Sequence, residues 1–276
     1  ALGRGSGADQ LQAQMHFSGA YGHSHRDCLA MMLWAKQREM LSDIGYTWSD
    51  IRSWSVSTIS HNLVAVDCRE QKTANSDGDL VWFFPDNAGV SATEVDGTRA
   101  YADVAGLDMY RRLQVVVPVS ARDAYVVDVF RVRGGTVHDW LLHGDADEDT
   151  TASCSPALGE PAKDMLAYPP SGEVTPAEAY GFIRQVRAGT AESGFTADLT
   201  YPSDPARGLR VHAMPPGPVE VFLGQSPSIR RTGRGSQADN RKIWDYWMPS
   251  LVVRRDGSAP LTSAFAAVYE PYVGEG

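Results

Sequence analysis

Residues 112–144 read RLQVVVPVSARDAYVVDVFRVRGGTVHDWLLHG. Three runs rich in valine and aromatic residues follow one another here, each of strand length. They are divided by residues 121–123 and by Gly134-Gly135, both suited to turns. The stretch on either side of the glycine pair reads as a β-hairpin. Upstream, VSATEV (residues 90–95) closes on Asp96-Gly97, and residues 63–66 and 80–84 are further strand candidates. Downstream, residues 195–201, 209–214, 219–223, 251–255 and 265–268 return to the same pattern.

The remaining segments fit around this series. Residues 1–14 carry little pattern and read as a leading arm, with the sandwich domain occupying 15–276. Residues 15–21 open it as a short strand. Residues 29–36 (LAMMLWAK) and 40–44 read as a hairpin buried on both faces, although a buried helix would give a similar signal. Residues 145–174, rich in Asp, Ser, Pro and Gly, read as a long surface loop. Thr175-Pro176-Ala177-Glu178 has the form of a capping box, which predicts a short helix to about Arg187, weakened by Gly181. The fold class is therefore all-β: an antiparallel multi-sheet β-sandwich with at most one or two short helices.

Composition narrows the partners. A net charge of −9 over 276 residues argues against nucleic acid. No apolar run approaches the ~18 residues of a membrane span, so a membrane is not an expected partner. The chain has no leading Met and no signal-peptide pattern, so it is expected to follow a processing site or to be cut from a longer protein. Cys28, Cys68 and Cys154 are widely spaced, which argues against a cysteine metal site.

The chemistry concentrates in residues 23–67. In GHSHRD (22–27), an extended chain would place His23, His25 and Asp27 on one face. Asp43 in SDIGY and His61 in HNLVAVD add a carboxylate and an imidazole, and such a set suits zinc if the fold brings its members together. Taken singly, each has a plainer reading: a polar surface pair, a turn carboxylate and an edge-strand histidine. Tyr46, Trp48 and Trp54 are candidates for sugar contact or for the core. Arg230, Arg231, Arg234, Arg241 and Lys242 form a basic cluster that would meet an acidic chain or lie solvated in a loop. His138 and His143 would face opposite sides of one strand.

Together GHSHRD, SDIGY, HNLVAVD, the YRR at 110–112 and VVDVFRVRGGTVHDWLLHG resemble the β-sandwich domain of the heparinase II/III-like polysaccharide lyases. GQSPSIRR and SAFAAVYEPY are similar to that family's closing strands. The resemblance implies a catalytic role for His23 and a structural zinc ion held by His25, Asp43 and His61. Apart from the resemblance, Tyr46, Trp48, Arg230 and Arg231 remain candidates for substrate contact on their own chemistry. Leu63 departs from the usual Thr or Ser, and the first hairpin lacks the common Gly.

The family further implies an N-terminal (α/α) toroid, which supplies a Tyr acting as base and acid, and an Asn or His for the uronate carboxylate. No helical array of that kind is visible here. The expectation is the sandwich half of an enzyme that cleaves an acidic, uronate-containing polysaccharide by β-elimination in the periplasm or outside the cell, with this half inactive alone. The alternative is a non-catalytic carbohydrate-binding or interaction domain that keeps the sandwich and the metal site.

Overall fold

A computed structural model describes residues 1–19, 23–47, 51–232 and 239–274. Among the described residues, eighteen strands form three sheets, and every pairing is antiparallel. The smallest sheet runs β1 (Leu2–Arg4), β2 (Leu11–Met15), β3 (Met31–Ala35), β4 (Arg38–Leu41). The six-stranded sheet is ordered β12 (Ala162–Asp164), β13 (Arg184–Ala191), β16 (Val219–Pro227), β17 (Trp247–Asp256), β10 (Val137–His143), β5 (Val64–Val66). The eight-stranded sheet is ordered β11 (Thr151–Cys154), β14 (Phe195–Tyr201), β15 (Asp204–Met214), β18 (Thr262–Val273), β9 (Ala124–Arg133), β8 (Met109–Pro118), β7 (Val90–Asp96), β6 (Asp79–Asn87). The one α-helix of the described residues, α1, is a single turn (Arg52–Ser55), and no helix is long and apolar enough to cross a membrane.

The larger sheets face each other as a sandwich. Trp140 on β10 stacks on Phe265 of β18, and the Tyr110 hydroxyl of β8 donates to the Val64 carbonyl of β5 at 2.6 Å. β8 and β9 alternate buried and half-buried residues, as strands with one face on a core must. β10 is buried throughout. His138 and Trp140 face the eight-stranded sheet, whereas Asp139 and His143 meet the segments around 54–60 and 180. The period of two thus sends the two β10 histidines to opposite sides.

Two Arg–Asp pairs lie wholly inside. Arg112 grips Asp128 through two hydrogen bonds of 2.8 and 2.9 Å, and Arg254 grips Asp139 at 2.7 Å twice. Their spare donors reach backbone carbonyls: Arg112 those of Leu29 and Asn62, Arg254 that of Tyr168. Satisfying every charge in this way makes burial tolerable.

Several expectations need correction. β9 and β10 do not form a hairpin; they lie in different sheets. Gly134 and Gly135 take φ of 124° and 68°, turning the chain across the sandwich, and Asp67 Oδ1 accepts from the Thr136 and Val137 amides beyond them. A side chain at Gly134 would strike the Leu107 backbone. The predicted helix to Arg187 is a short 3-10 turn, Glu178–Phe182, followed by β13. Residues 1–14 include β1 and nearly all of β2 rather than a free arm, and residues 145–174 contain β11 and β12. The 29–44 hairpin exists as β3–β4, but its faces differ: Leu33 is buried while Trp34 is exposed. Its turn residues Lys36 and Gln37 both adopt positive φ (52° and 66°) without glycine.

Candidate metal centre and the histidine beside it

His25, Asp27, Asp43 and His61 converge: one ligand atom from each lies within 4.8 Å of all the others. They come from three places, the loop before β3, the turn after β4 and the turn before β5. His25 Nδ1 stands 3.0 Å from His61 Nε2, and His61 Nε2 stands 3.4 Å from Asp43 Oδ2 and 4.0 Å from Asp27 Oδ2.

Each ligand is oriented by its own neighbours. His61 Nδ1 lies 2.7 Å from the Ser57 carbonyl, which can only accept, so this nitrogen carries hydrogen and Nε2 faces the cluster. Asp43 Oδ1 accepts from the Gly45 amide at 2.7 Å, an Asx turn that leaves Oδ2 toward His61. Gly45 has φ of 78°, which explains the Asp-x-Gly spacing. Arg230 donates to the Asp43 carbonyl and to Glu39, and also pairs with Asp147.

A frame of uncharged groups surrounds the ligands. Asn62 uses its whole amide: Nδ2 donates to the Met31 and Ser42 carbonyls, and Oδ1 accepts from the His143 amide at 2.6 Å. It therefore ties the start of β3, the end of the Asp43 turn's approach and β10 to the residue beside His61. Gln71 holds both backbone groups of Cys28, and Thr58 Oγ1 donates to the Arg26 carbonyl. Leu29, fully buried, is held at φ of 69°, a conformation unfavourable for leucine that Arg112 and the His16 carbonyl lock in place.

The electrostatics are those of a cation site. Burial lowers His25, and the neighbouring His61 adds to the effect, to about 4. For His61 burial also works against charge, but the hydrogen bond with Asp43 and the fields of Asp27 and Asp43 outweigh it and raise it to about 9. Asp43, despite burial, is held well below the carboxylate range by His61 and the Gly45 amide. Without an ion, the positive charge that the two carboxylates favour sits on the His61 ring. Asp27 turns Oδ2 toward His61, while its buried Oδ1 lies 3.5 Å from His16 Nε2 and has no hydrogen-bond partner. Tetrahedral zinc, with Zn–N of about 2.0–2.1 Å, separates its donors by roughly 3.3 Å. The residues fit that ion in number and type, and the His25–His61 and His61–Asp43 separations of 3.0 and 3.4 Å match its spacing.

His23 is exposed beside this centre, its ring 5.4 Å from that of Tyr46. Tyr46 in turn lies nearly parallel to the His25 ring at 6.0 Å, with the Arg52 guanidinium 4.6 Å from its centroid. Trp48 and Arg234 lie outside the described residues. Trp54 is fully buried, donating to the Pro227 carbonyl, and belongs to the core. Arg231 pairs with Asp149 and lies over the Tyr246 ring, and Arg241 pairs with Asp239, so the described arginines of the basic cluster are dispersed into ion pairs. Asp27 is the member that spacing arguments left out of the ligand set. The alternation in GHSHRD already placed it on the face of His25.

An antiparallel sandwich that gathers a His-x-His-x-Asp loop, an Asp-x-Gly-Tyr turn and a His-Asn turn at one edge is a heparinase-type β-sandwich domain. The family profile described as Heparinase II/III-like, C-terminal, matches residues 12–192, and the chain belongs to that polysaccharide lyase family. Heparan sulfate lyase HepC from Pedobacter heparinus superposes with a TM-score of 0.62 at 13% identity, over 97% of this chain and 34% of its own. A heparinase III superposes with a TM-score of 0.59 at 14% identity, over 99% of this chain and 35% of its own. The chain thus spans about a third of the length of those enzymes. No curated protein matches it significantly in sequence.

Proposed function

We propose that this chain is the β-sandwich part of a lyase that cleaves a uronate-containing polysaccharide by β-elimination. His23 meets the substrate, and His25, Asp27, Asp43 and His61 hold a zinc ion. The observation that carries the reading is the convergence of those four ligands directly behind His23 and Tyr46. Zinc, when bound, supplies a cross-link between the loop 23–28 and the two turns. The chain's own residues do the rest.

In the elimination, the C5 proton leaves a carbon beside a carboxylate, and the C4 oxygen departs. An imidazole donating to that carboxylate stabilises the enolate-like charge that builds in the transition state; as a free base it would instead take the proton. Tyr46 backs His23 on one side and His25 on the other, so the substrate-facing ring is coupled to the cluster through packing. Arg230 is engaged with the Glu39 and Asp147 carboxylates and Arg231 with that of Asp149, and we read Arg230, which also donates to the Asp43 carbonyl, as a brace for the Asp43 turn.

The complementary half of the cleft is read as a helical toroid of the same parent protein, in keeping with the greater length of the related enzymes. The edge strand β6 supports a further packing partner: Leu80, Val81, Phe83 and Phe84 are all exposed on it. An extracytoplasmic setting, periplasmic or secreted, follows from a polymeric substrate.

The test is an absorbance assay near 230 nm for unsaturated uronate product (wavelength on the order of the enone-type chromophore expected from β-elimination). The full-length parent is expected to form product and its His23→Ala variant to lose it, with the present chain inactive alone. Product formation unchanged in His23→Ala would overturn the assignment. No product from the parent on any uronate polymer would favour the non-catalytic binding domain.

A further inference from the structure

Away from the zinc ligands, β13, β16 and β17 border a second cleft of about 470 Å³, within the ~300–1,000 Å³ usual for small-ligand sites. Lys163, Arg184, Gln185, Gln225 and Trp247 line it. An adjoining hollow of about 240 Å³ shares Gln185 and Gln225 and adds Arg187. Among the described residues no carboxylate lines either one.

The local backbone is shaped for this. β13 carries a bulge between Arg184 and Arg187, with Gln185 at φ of 51°. Gly224 sits opposite on β16, where a side chain would come within 2.9 Å of the Arg184 carbonyl and of Ile183 and Val186. A bulge and a close-approach glycine re-aim the strand's side chains at this point. The Arg184 guanidinium lies 3.8 Å from the centroid of Trp244, whose ring is 5.5 Å from that of Trp247. Trp247 Nε1 donates to the Trp244 carbonyl at 2.7 Å, fixing its plane.

The charge at this cleft contrasts with that of many surface arginines. Arg99, Arg111, Arg133, Arg210 and Arg231 are each paired with a carboxylate, as a chain of net charge −9 allows. Arg184 and Arg187 have no carboxylate or hydrogen-bond partner for their guanidinium groups among the described residues. Lys163 is 3.7 Å from Asp164 and otherwise 90% exposed. A stacked guanidinium with free N–H groups suits a carboxylate or sulfate. An indole face suits the C–H face of a pyranose, and two glutamine amides suit its hydroxyls.

We propose that this cleft is a second saccharide site, which binds an acidic oligosaccharide through Arg184, Arg187 and Lys163, with Trp247 as the stacking platform. The proposal deepens the reading above, since it takes the same class of ligand at a place distinct from His23. A chain of aromatic contacts, Trp247–Trp244–Phe182–Trp54–His143, joins the cleft to the carbonyl of Ile59 beside the His61 turn. The site would retain the polymer while the His23 end acts on it.

The test is calorimetric titration of the 276-residue chain with size-defined heparan sulfate, chondroitin sulfate and alginate oligosaccharides, and with carboxyl-reduced, desulfated counterparts. At least one acidic probe is expected to bind and to change tryptophan fluorescence, with its neutral counterpart failing. Arg184→Ala should weaken binding roughly tenfold or more, the scale of a lost charge-assisted hydrogen bond. Trp247→Ala should weaken it and lose the fluorescence change, while Trp247→Phe retains binding; unchanged circular dichroism verifies folding.

Binding equal to wild type in both Arg184→Ala and Trp247→Ala, or no binding of any acidic probe, would overturn the cleft assignment. Lyase activity of the parent, measured separately, distinguishes the two readings. Loss of binding in the cleft variants alongside an inactive parent would leave the saccharide site standing and remove the lyase.

Discussion

Two pairs of histidines do different work in this molecule. On β10, His138 Nε2 donates to the Gly134 carbonyl and Nδ1 accepts from Ser263, both at 2.7 Å. His143 Nε2 donates to the Ile59 carbonyl and Nδ1 accepts from Ser250, both at 2.9 Å. Each ring is neutral and spends both nitrogens on uncharged oxygens, and burial lowers both to about 4. His25 and His61 instead turn one nitrogen of each ring toward the other at 3.0 Å, with two carboxylates around them. Burial is common to both pairs. What separates a candidate ligand from a structural histidine is the charge of the partners and the nitrogen left over.

The sharpest way to break that contrast is metal content. His61→Ala is expected to abolish zinc, from one equivalent to none by atomic emission on the purified chain, while His138→Ala keeps it. Zinc retained in both, or lost in both, would remove the distinction. The stability effects are expected to run the other way for His138, where truncation orphans a buried hydroxyl and a carbonyl at a cost of about 1–3 kcal/mol each.

Next in size is Arg112→Ala. It strips Asp128 of its partner inside the sandwich and frees the Leu29 and Asn62 carbonyls that flank the ligand segments. Removing one member of a buried pair costs about 3–5 kcal/mol, read as a lowered midpoint in urea. Zinc affinity should fall with it. A variant that loses stability but binds zinc with unchanged affinity would show that Arg112 serves the sandwich alone.

The β10 pair also predicts a pH dependence. His138 has a lower affinity for protons folded than unfolded, about 4 against the ordinary 6.5. Its contribution to stability is therefore full above pH 6.5 and is lost as pH falls toward 4. In that window the unfolded chain binds the extra proton, a slope of about 1.4 kcal/mol per pH unit for this one group. In chelator-treated protein, His138→Gln should flatten the slope by up to that amount. An identical slope in both proteins would mean that the ring is not buried neutral.

How far the sequence reached follows from the range of each interaction. GHSHRD, SDIGY and HNLVAVD stand out in the sequence through the family resemblance, and the structure gives each a local reason: alternation places His25 and Asp27, the Asx turn needs Gly45, and Asn62 follows His61 to staple β3 and β10. Partnering between sheets is not local. Gly134-Gly135 would suit a hairpin as well as a crossover, and only the packing of Leu107 and Asp67 decides. β13 was hidden because its bulge at Gln185 breaks the period of two, just after a capping signal satisfied by one 3-10 turn. β2 was missed although Leu11, Ala13 and Met15 alternate with exposed glutamines, a weak signal when one apolar member is only a methyl. The second cleft has no linear motif, since Lys163, Arg184, Gln225 and Trp247 come from four strands.

The smallest effect separates the ligand turns from ordinary ones. Gly45 sits at φ of 78°, and a methyl there would lie 3.1 Å from Arg230 Cγ. Gly217, between β15 and β16, has open space around it and no such φ. Gly45→Ala should cost about 1–2 kcal/mol from the left-handed backbone, whereas Gly217→Ala should be close to neutral in thermal denaturation. The sharper readout is zinc competition against a chromophoric chelator. Relaxing the turn withdraws the amide that aims Asp43, and loss of such an orienting bond costs about 10–100-fold in metal affinity. Gly45→Ala that is destabilised yet binds zinc as tightly as wild type would mean that the cluster orients Asp43 without its turn, and that the Asp-x-Gly spacing serves only the chain reversal after β4.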